Sequence, residues 1–234
     1  MTVKALIFDV FGSLVDWRSS VAREIGLMAA KKGVDLNATD LAVAWRAEYQ
    51  PAMERIRSGG RGYIRLEVLH RENLEIVLER AGLSEAFDGS EKDTLNTAWE
   101  KLDPWSDVVP GLTSLKQSPH LIAPCSNGSI AMMTRLARYA GFPWDAIVGA
   151  EIGQNYKPMP EVYQRSAAAL GFAPDEVMMV AAHNNDLAAA RDAGLKTGFF
   201  PRPTEHGPGQ TIDLEAEQDW DIVARDLPEL VSQL

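Results

Sequence analysis

The chain has 234 residues, 46% of them hydrophobic, and a formal net charge of −10 at pH 7. That is enough apolar material for one large domain, or for a core domain with a smaller insertion, and it argues against disorder. The acidic balance excludes a general affinity for nucleic acid or anionic membranes, which need clustered Lys and Arg, while a sole cysteine, Cys125, excludes an intrachain disulfide and a multi-cysteine metal site.

Residues 3 to 9 read as a buried strand rich in Val, Ile, Leu and Phe, ending on Asp9. The next ninety or so residues carry hardly a strand signal. Leu41, Trp45, Tyr49 and Met53 recur every four residues, and Leu66, Leu69, Leu74, Val77 and Leu78 form a second apolar stripe, as helices packed on one another require. Between the stripes, S-G-G-R-G at 58 to 62 is an interhelix turn. Pro51 deprives the Ala47 carbonyl of its helical partner and is expected to bend the first of these helices.

From about residue 105 strand and helix alternate: H-L-I-A-P-C-S-N then 129 to 140, A-I-V-G-A then 159 to 170, V-M-M-V-A-A then 184 to 193, and T-G-F-F. Such alternation predicts an α/β fold with a parallel, Rossmann-like sheet. The first strand must join that sheet, so residues 15–102 form an inserted helical cap domain and 1–14 with 103–234 form the core domain. Residues 201 to 212, with their Pro and Gly, read as a loop. No stretch approaches the length that spans a bilayer, and with the lone cysteine this places the protein in the cytoplasm.

Ligands of an open α/β sheet bind at the carboxyl ends of its strands. Asp9, then Ser126 and Asn127, then Lys157, then Asp186 follow successive strands and should converge under the cap. Each also has a plain structural alternative: Asp186 as a helix cap, Ser126 and Asn127 as turn residues, Lys157 as a surface lysine. Arg46 could pair at the surface with Asp40, Glu48 or Glu54. Cys125 reads as a buried apolar cysteine, and His70, His120 and His206 as structural or surface groups without metal-ligand spacing.

The motifs D-x-F-G-S, S-N-G-S, Y-K-P and N-N-D-L-A-A-A-R-D-A-G, in that order, resemble those of the haloacid dehalogenase superfamily and cover nearly the whole chain. Most members are phosphatases, with a second aspartate two residues after the nucleophile and Gly-Asp in the last motif. Here those places hold Phe11, Ala181 and Ala182. Phosphoryl transfer needs a divalent ion and an acid for the alkoxide, whereas a halide leaves as a weak base and needs a bare carboxylate and an apolar wall. The resemblance therefore narrows to the L-2-haloacid dehalogenases, with no metal and no cofactor. It implies that Asp9 attacks C2 of a short 2-haloalkanoic acid with inversion, and that water then opens the aspartyl ester to a 2-hydroxy acid.

By motif, the resemblance makes Arg46 and Asn127 the halide binders and Phe11 the apolar wall. It has Ser13 and Ser126 helping to hold the substrate carboxylate and Asp9, together with backbone N–H groups near residues 10 and 11. Lys157 steadies Asp9 with Tyr163 beside it, and Asp186 positions or activates water. His183 stands where relatives usually carry asparagine, and it is expected near Asp186 with a share in ester hydrolysis or halide contact. A homodimer suits this group. The competing readings are a magnesium-dependent phosphatase and a catalytically lapsed binding member.

Overall fold

The computed structural model describes residues 3–234. Strand β1 (Ala5–Phe8) is fully buried, and its side chains alternate: Leu6 and Phe8 enter one apolar layer, Ala5 and Ile7 the other. A strand covered on both faces must be apolar at every position, which explains its unbroken hydrophobic run. A short strand β2 (Val15–Asp16) then leads into the helical block. That block comprises α1 (Trp17–Lys32), α2 (Ala38–Ala47), α3 (Tyr49–Arg57), α4 (Leu66–Arg80) and α5 (Gly89–Asn96).

The helix starts follow capping chemistry. Asp16 accepts from Ser19 N, Asn37 from Thr39 and Asp40 N, and Asp88 with Glu91 completes a capping box. Both predicted stripes are buried. At the expected bend the helix is interrupted at one residue, Glu48, which keeps right-handed helical dihedrals: α2 ends at Ala47, α3 starts at Tyr49, and Pro51 sits in the first turn of α3, where a missing N–H costs nothing. Strand β3 (Asp103–Pro104) pairs antiparallel with β2, Val15 opposite Pro104 and Asp16 opposite Asp103. Two residues are too few to show a period, so this ladder at the foot of the block leaves no sequence signal.

The rest is strand and helix in turn: α6 (Val108–Lys116), β4 (Leu121–Ser126), α7 (Ile130–Ala140), β5 (Val148–Gly149), α8 (Ala150–Gly153), α9 (Pro160–Ala169), β6 (Val177–Ala181), α10 (Asn184–Asp192), β7 (Lys196–Phe199), β8 (Ile222–Val223) and α11 (Leu227–Val231). The six-stranded sheet is parallel, in the order β5-β4-β1-β6-β7-β8. Phe8 lies opposite both Pro124 and Val180, so the carboxyl ends of β1, β4 and β6 are level. Strand order reverses at β1, and there the crevice opens, beneath the helical block.

The long segment between β7 and β8 is irregular, as predicted for 201 to 212, but it is anchored. Arg202 donates to the Ser13 carbonyl at 2.8 Å and to both Asp107 oxygens at 2.9 Å. Asn184 binds Asp213 and the Glu215 carbonyl through its amide nitrogen, and Glu217 N and Trp220 Nε1 through its oxygen. Among the described residues no helix is long and apolar enough to cross a membrane.

Candidate active site

Asp9 follows β1 directly and is 7% exposed. The chain turns back at once, with Leu14 N and Val15 N both donating to the Val10 carbonyl. The turn passes through Gly12 at φ +94°, where a Cβ would come within 2.0 Å of Glu205 Oε1. Glycine is required there twice over, for the backbone and for the close approach. The turn returns Ser13 beneath Asp9: its hydroxyl donates to Asp9 Oδ2 at 2.7 Å and accepts from Ala182 N at 2.9 Å.

Lys157, also 7% exposed, reaches in from the segment between α8 and α9. Its ammonium bridges Asp9 Oδ1 at 2.7 Å and Asp186 Oδ2 at 2.5 Å, while Tyr163 donates to Asp186 Oδ1 at 2.5 Å. Lys157 N donates to Asn127 Oδ1 at 2.8 Å, and Asn127 Nδ2 to the Tyr49 hydroxyl at 3.0 Å, so one amide links the lysine segment to the helical block. Arg57, at the end of α3, donates to the Lys157 carbonyl at 2.9 Å and is otherwise committed to Glu54 and Gln50.

Burial alone would raise the Asp9 pKa. The Lys157 charge, with the hydrogen bond and charge of His183, outweighs it and holds the carboxyl well below the usual carboxylate range. Burial also opposes a charge on Lys157, but the Asp186 and Asp9 carboxylates keep it an ammonium with a pKa above that of an ordinary lysine. Burial and then Asp186 push the Tyr163 phenol up, so it stays a donor.

His183 precedes the first turn of α10, which carries Asp186, and both line the same cleft. Its hydrogen bonds run to Asp9 Oδ2 from Nδ1 at 3.1 Å and to Glu205 Oε2 from Nε2 at 2.8 Å. Burial pulls its pKa down, yet Glu205 and Asp9 together lift it well above that of a free imidazole. Glu205, 2% exposed, also accepts from Trp17 Nε1 at 3.0 Å. Burial would raise its pKa, and the His183 charge draws it below the ordinary value.

Phe11, 3% exposed, meets Tyr49 and Trp99 edge-on at 6.5 Å and 6.0 Å between ring centres. The Arg46 guanidinium lies 3.8 Å from the Tyr49 ring centre and 5.5 Å from that of Trp17. The surface alternative for Arg46 is not realised, because Arg80 holds Glu48 and Arg57 holds Glu54. Among the described residues no carboxylate comes within ion-pair distance of Arg46.

These groups share a cleft of about 850 Å³ whose lining includes Asp9, Phe11, Arg46, Asn127, Lys157, His183 and Asp186. Ser13, Ser126 and Tyr163 are set one layer behind. Ser13 and Tyr163 spend their hydroxyls on Asp9 and Asp186, and Ser126 Oγ accepts from Gly128 N at 3.0 Å. Trp17, Glu205 and Asp213 also line the cleft and escaped the sequence reading; His206, expected as a structural or surface group, lines it too. The usable signal for Glu205 was its place on the loop that leaves the carboxyl end of β7.

A divalent ion does not suit this donor set. The Lys157 ammonium sits between the two carboxylates that would bind it, Phe11 and Ala182 offer no side-chain oxygen, and among the described residues no three His, Cys, Asp or Glu are grouped to hold a metal. Cys125 is buried beside Ser166, its thiol pushed up to about 12 by burial. His70 is also fully buried, with its pKa held well below the ordinary value by burial and by the nearby Arg46 charge.

A buried, ionised carboxylate, lysine-bridged to a second one and facing an aromatic wall, can attack carbon and then present its own ester to water. Comparison with known proteins agrees with this. Residues 3–194 match the family model for haloacid dehalogenase-like hydrolases. The (S)-2-haloacid dehalogenase of Pseudomonas sp. (strain YL) is 27% identical over 217 residues, 91% of this chain and 90% of that protein. Among solved structures, the defluorinating L-2-haloacid dehalogenase Rha0230 superposes with a TM-score of 0.97 at 47% identity, covering 99% of this chain and 95% of that one. The L-2-haloacid dehalogenase PA0810 does so with 0.94 at 44%, covering 99% and 98%. With the motifs in order, the nucleophile at the sheet's switch point and a family match over most of its length, the chain belongs to the haloacid dehalogenase-like hydrolases.

Proposed function

We propose that this protein hydrolyses the carbon–halogen bond of short 2-haloalkanoic acids, by inversion at C2, to give 2-hydroxy acids. The observation that carries this reading is the Asp9 carboxylate, held ionised by Lys157 at 2.7 Å and turned toward a cleft walled by Phe11 and roofed by the unpaired Arg46. Asp9 attacks C2 from the face opposite the halogen. Arg46 and the free amide hydrogen of Asn127 receive the halide, and backbone N–H groups near residues 10 and 11 receive the substrate carboxylate. Ser13 aims Asp9. Lys157 carries charge that builds on the Asp9 carboxyl during ester hydrolysis, and Asp186, fixed by Tyr163, takes a proton from the attacking water.

We assign the cap to residues 15–102 and the core to 1–14 with 103–234, a division supported by the β2–β3 ladder where the chain leaves and returns. The sole cysteine, Cys125, free and buried, supports a cytoplasmic location. We also propose a homodimer, to be checked by light scattering.

The test is halide release from L- and D-2-chloropropionate, chloroacetate and fluoroacetate with a chelator present. Release from the L isomer that survives chelation and disappears in Asp9→Asn is the expected result. Magnesium-dependent phosphate release from an aryl phosphate, with no halide release, would replace this reading with a phosphatase. Silence in both assays would point to a binding role.

A further inference from the structure

Two cations press on Asp9 from different oxygens, Lys157 on Oδ1 and His183 on Oδ2. They part company once the ester forms. In the aspartyl ester proposed above, on which this inference rests, Asp9 has lost its charge. Lys157 still has Asp186, but His183 has only Glu205.

Glu205 is built for that moment. It is 2% exposed, its Oε2 lies 2.8 Å from His183 Nε2, and its Oε1 is fixed by Trp17 Nε1 in the space that Gly12 leaves open. Of the other charged or titratable groups around the pair, Arg202 is engaged by Asp107 and the Ser13 carbonyl, and Asp186 belongs to Lys157 and Tyr163. His206 is a neighbour of Glu205 alone, its Nε2 within ion-pair reach of Oε1 at 3.7 Å, while Oε2 is left to His183.

We propose that Glu205 is a positioning residue that keeps His183 an N–H donor aimed at Asp9 for the life of the ester, so that His183 protonates the product alcohol as it leaves. Halide departure needs no proton, but ester hydrolysis expels an alkoxide, and Phe11 occupies the place from which an acid would otherwise serve it. The water oxygen bonds to the Asp9 carboxyl carbon while one water proton passes to Asp186, and the carbonyl electron pair moves onto Oδ1 beside Lys157. Collapse returns that pair and breaks the bond from the carboxyl carbon to Oδ2. Oδ2 departs with the bonding pair and takes the Nδ1 proton of His183. Asp9, now a carboxylic acid, returns a proton to His183, and Asp186 releases one to solvent. Each turnover thus yields one halide, one 2-hydroxy acid and one proton. The pKa of His183, raised well above the ordinary value by Glu205 and Asp9, agrees with a proton donor.

The test is Glu205→Gln, an isosteric change that keeps an acceptor for Trp17. With L-2-chloropropionate, the expected result is first-turnover halide release at the wild-type rate, followed by accumulation of a mass adduct on the Asp9 peptide. The alkaline limb of ester breakdown should move down by roughly one to three pH units, the effect of losing one adjacent carboxylate. Glu205→Asp should recover part of that shift. Ester clearance at the wild-type rate with an unmoved limb would overturn the proposal, and so would an equal slowing of both half-reactions with an unmoved limb, which marks a merely structural role. Absence of an Asp9 adduct from both wild type and variant, under rapid quench, would overturn the ester reading itself.

Discussion

Replacing Lys157 by Met keeps most of the side-chain stem and removes one charge, and its consequences can be worked through. The ammonium lies 2.7 Å from Asp9 and 2.5 Å from Asp186, and all three side chains are less than a tenth exposed. Removing one partner from a buried ion pair costs about 3–5 kcal/mol, because the charge left behind has neither water nor a counter-ion. If the same interaction holds the nucleophile ready, the rate falls by roughly two to four orders of magnitude. The pH dependence is more diagnostic. In the wild type the folded-state pKa of Asp9 is depressed, so its contribution to stability is full above the unfolded carboxyl value and is lost as pH falls through the folded value. Without Lys157, burial opposes the charge with only His183 left to offset it, so the folded pKa of Asp9 rises and much of that contribution is lost. The stability gap between the two proteins should therefore be widest near neutrality and close as pH falls below the unfolded carboxyl value of about 4 toward the folded one. The acid limb of the rate should move up. Urea unfolding across this range and initial rates of halide release measure both effects. A variant as stable as the wild type at pH 7, with its acid limb unmoved, would refute the reasoning.

Arg46→Ala should leave folding intact, since no ion pair is lost, and lower kcat/KM for 2-chloropropionate by roughly ten- to a hundredfold, the worth of hydrogen bonds to a charged group; Lys at this position should recover only part of it. Unchanged kinetics would remove Arg46 from the site. Cys125→Ala should keep its activity, and N-ethylmaleimide should not inactivate the wild type, because the thiol is buried and its pKa is pushed up to about 12. Rapid inactivation prevented by the substitution would contradict that.

The parts of the site legible in the sequence are those tied to strand ends. Asp9, Asn127, Lys157 and Asp186 each follow a hydrophobic run, and a parallel sheet brings such positions together whatever the connections do. The partner of His183 was hidden because it lies on a loop without periodicity, 22 residues further on, and the path of such a loop depends on anchors like Arg202 and Asn184. The break between α2 and α3 was half visible. Pro51 names the missing hydrogen bond, but whether a helix bends or restarts there is decided by what Trp45 and Tyr49 pack against. The hydroxyls of Ser13, Ser126 and Tyr163 illustrate a third limit: composition shows a polar group near a site, and only geometry shows which neighbour already holds it.

Arg46, without a carboxylate at ion-pair distance among the described residues, also shapes the charge deep in the cleft. Asp9, Asp186 and Glu205 face the cations of Lys157 and His183, and Arg46 brings this inner group to balance; Glu54 and Arg57 hold one another, while Asp213, bound by Asn184, adds one negative charge to the lining. An incoming anion thus meets a balanced inner group around Asp9, although the protein as a whole carries −10. Arg57 and Lys157 are already bound, so Arg46 is the cation among the described residues of the cleft with charge to spare. On the proposed reading, the halide that Arg46 receives must leave it before the next substrate can present its own halogen there.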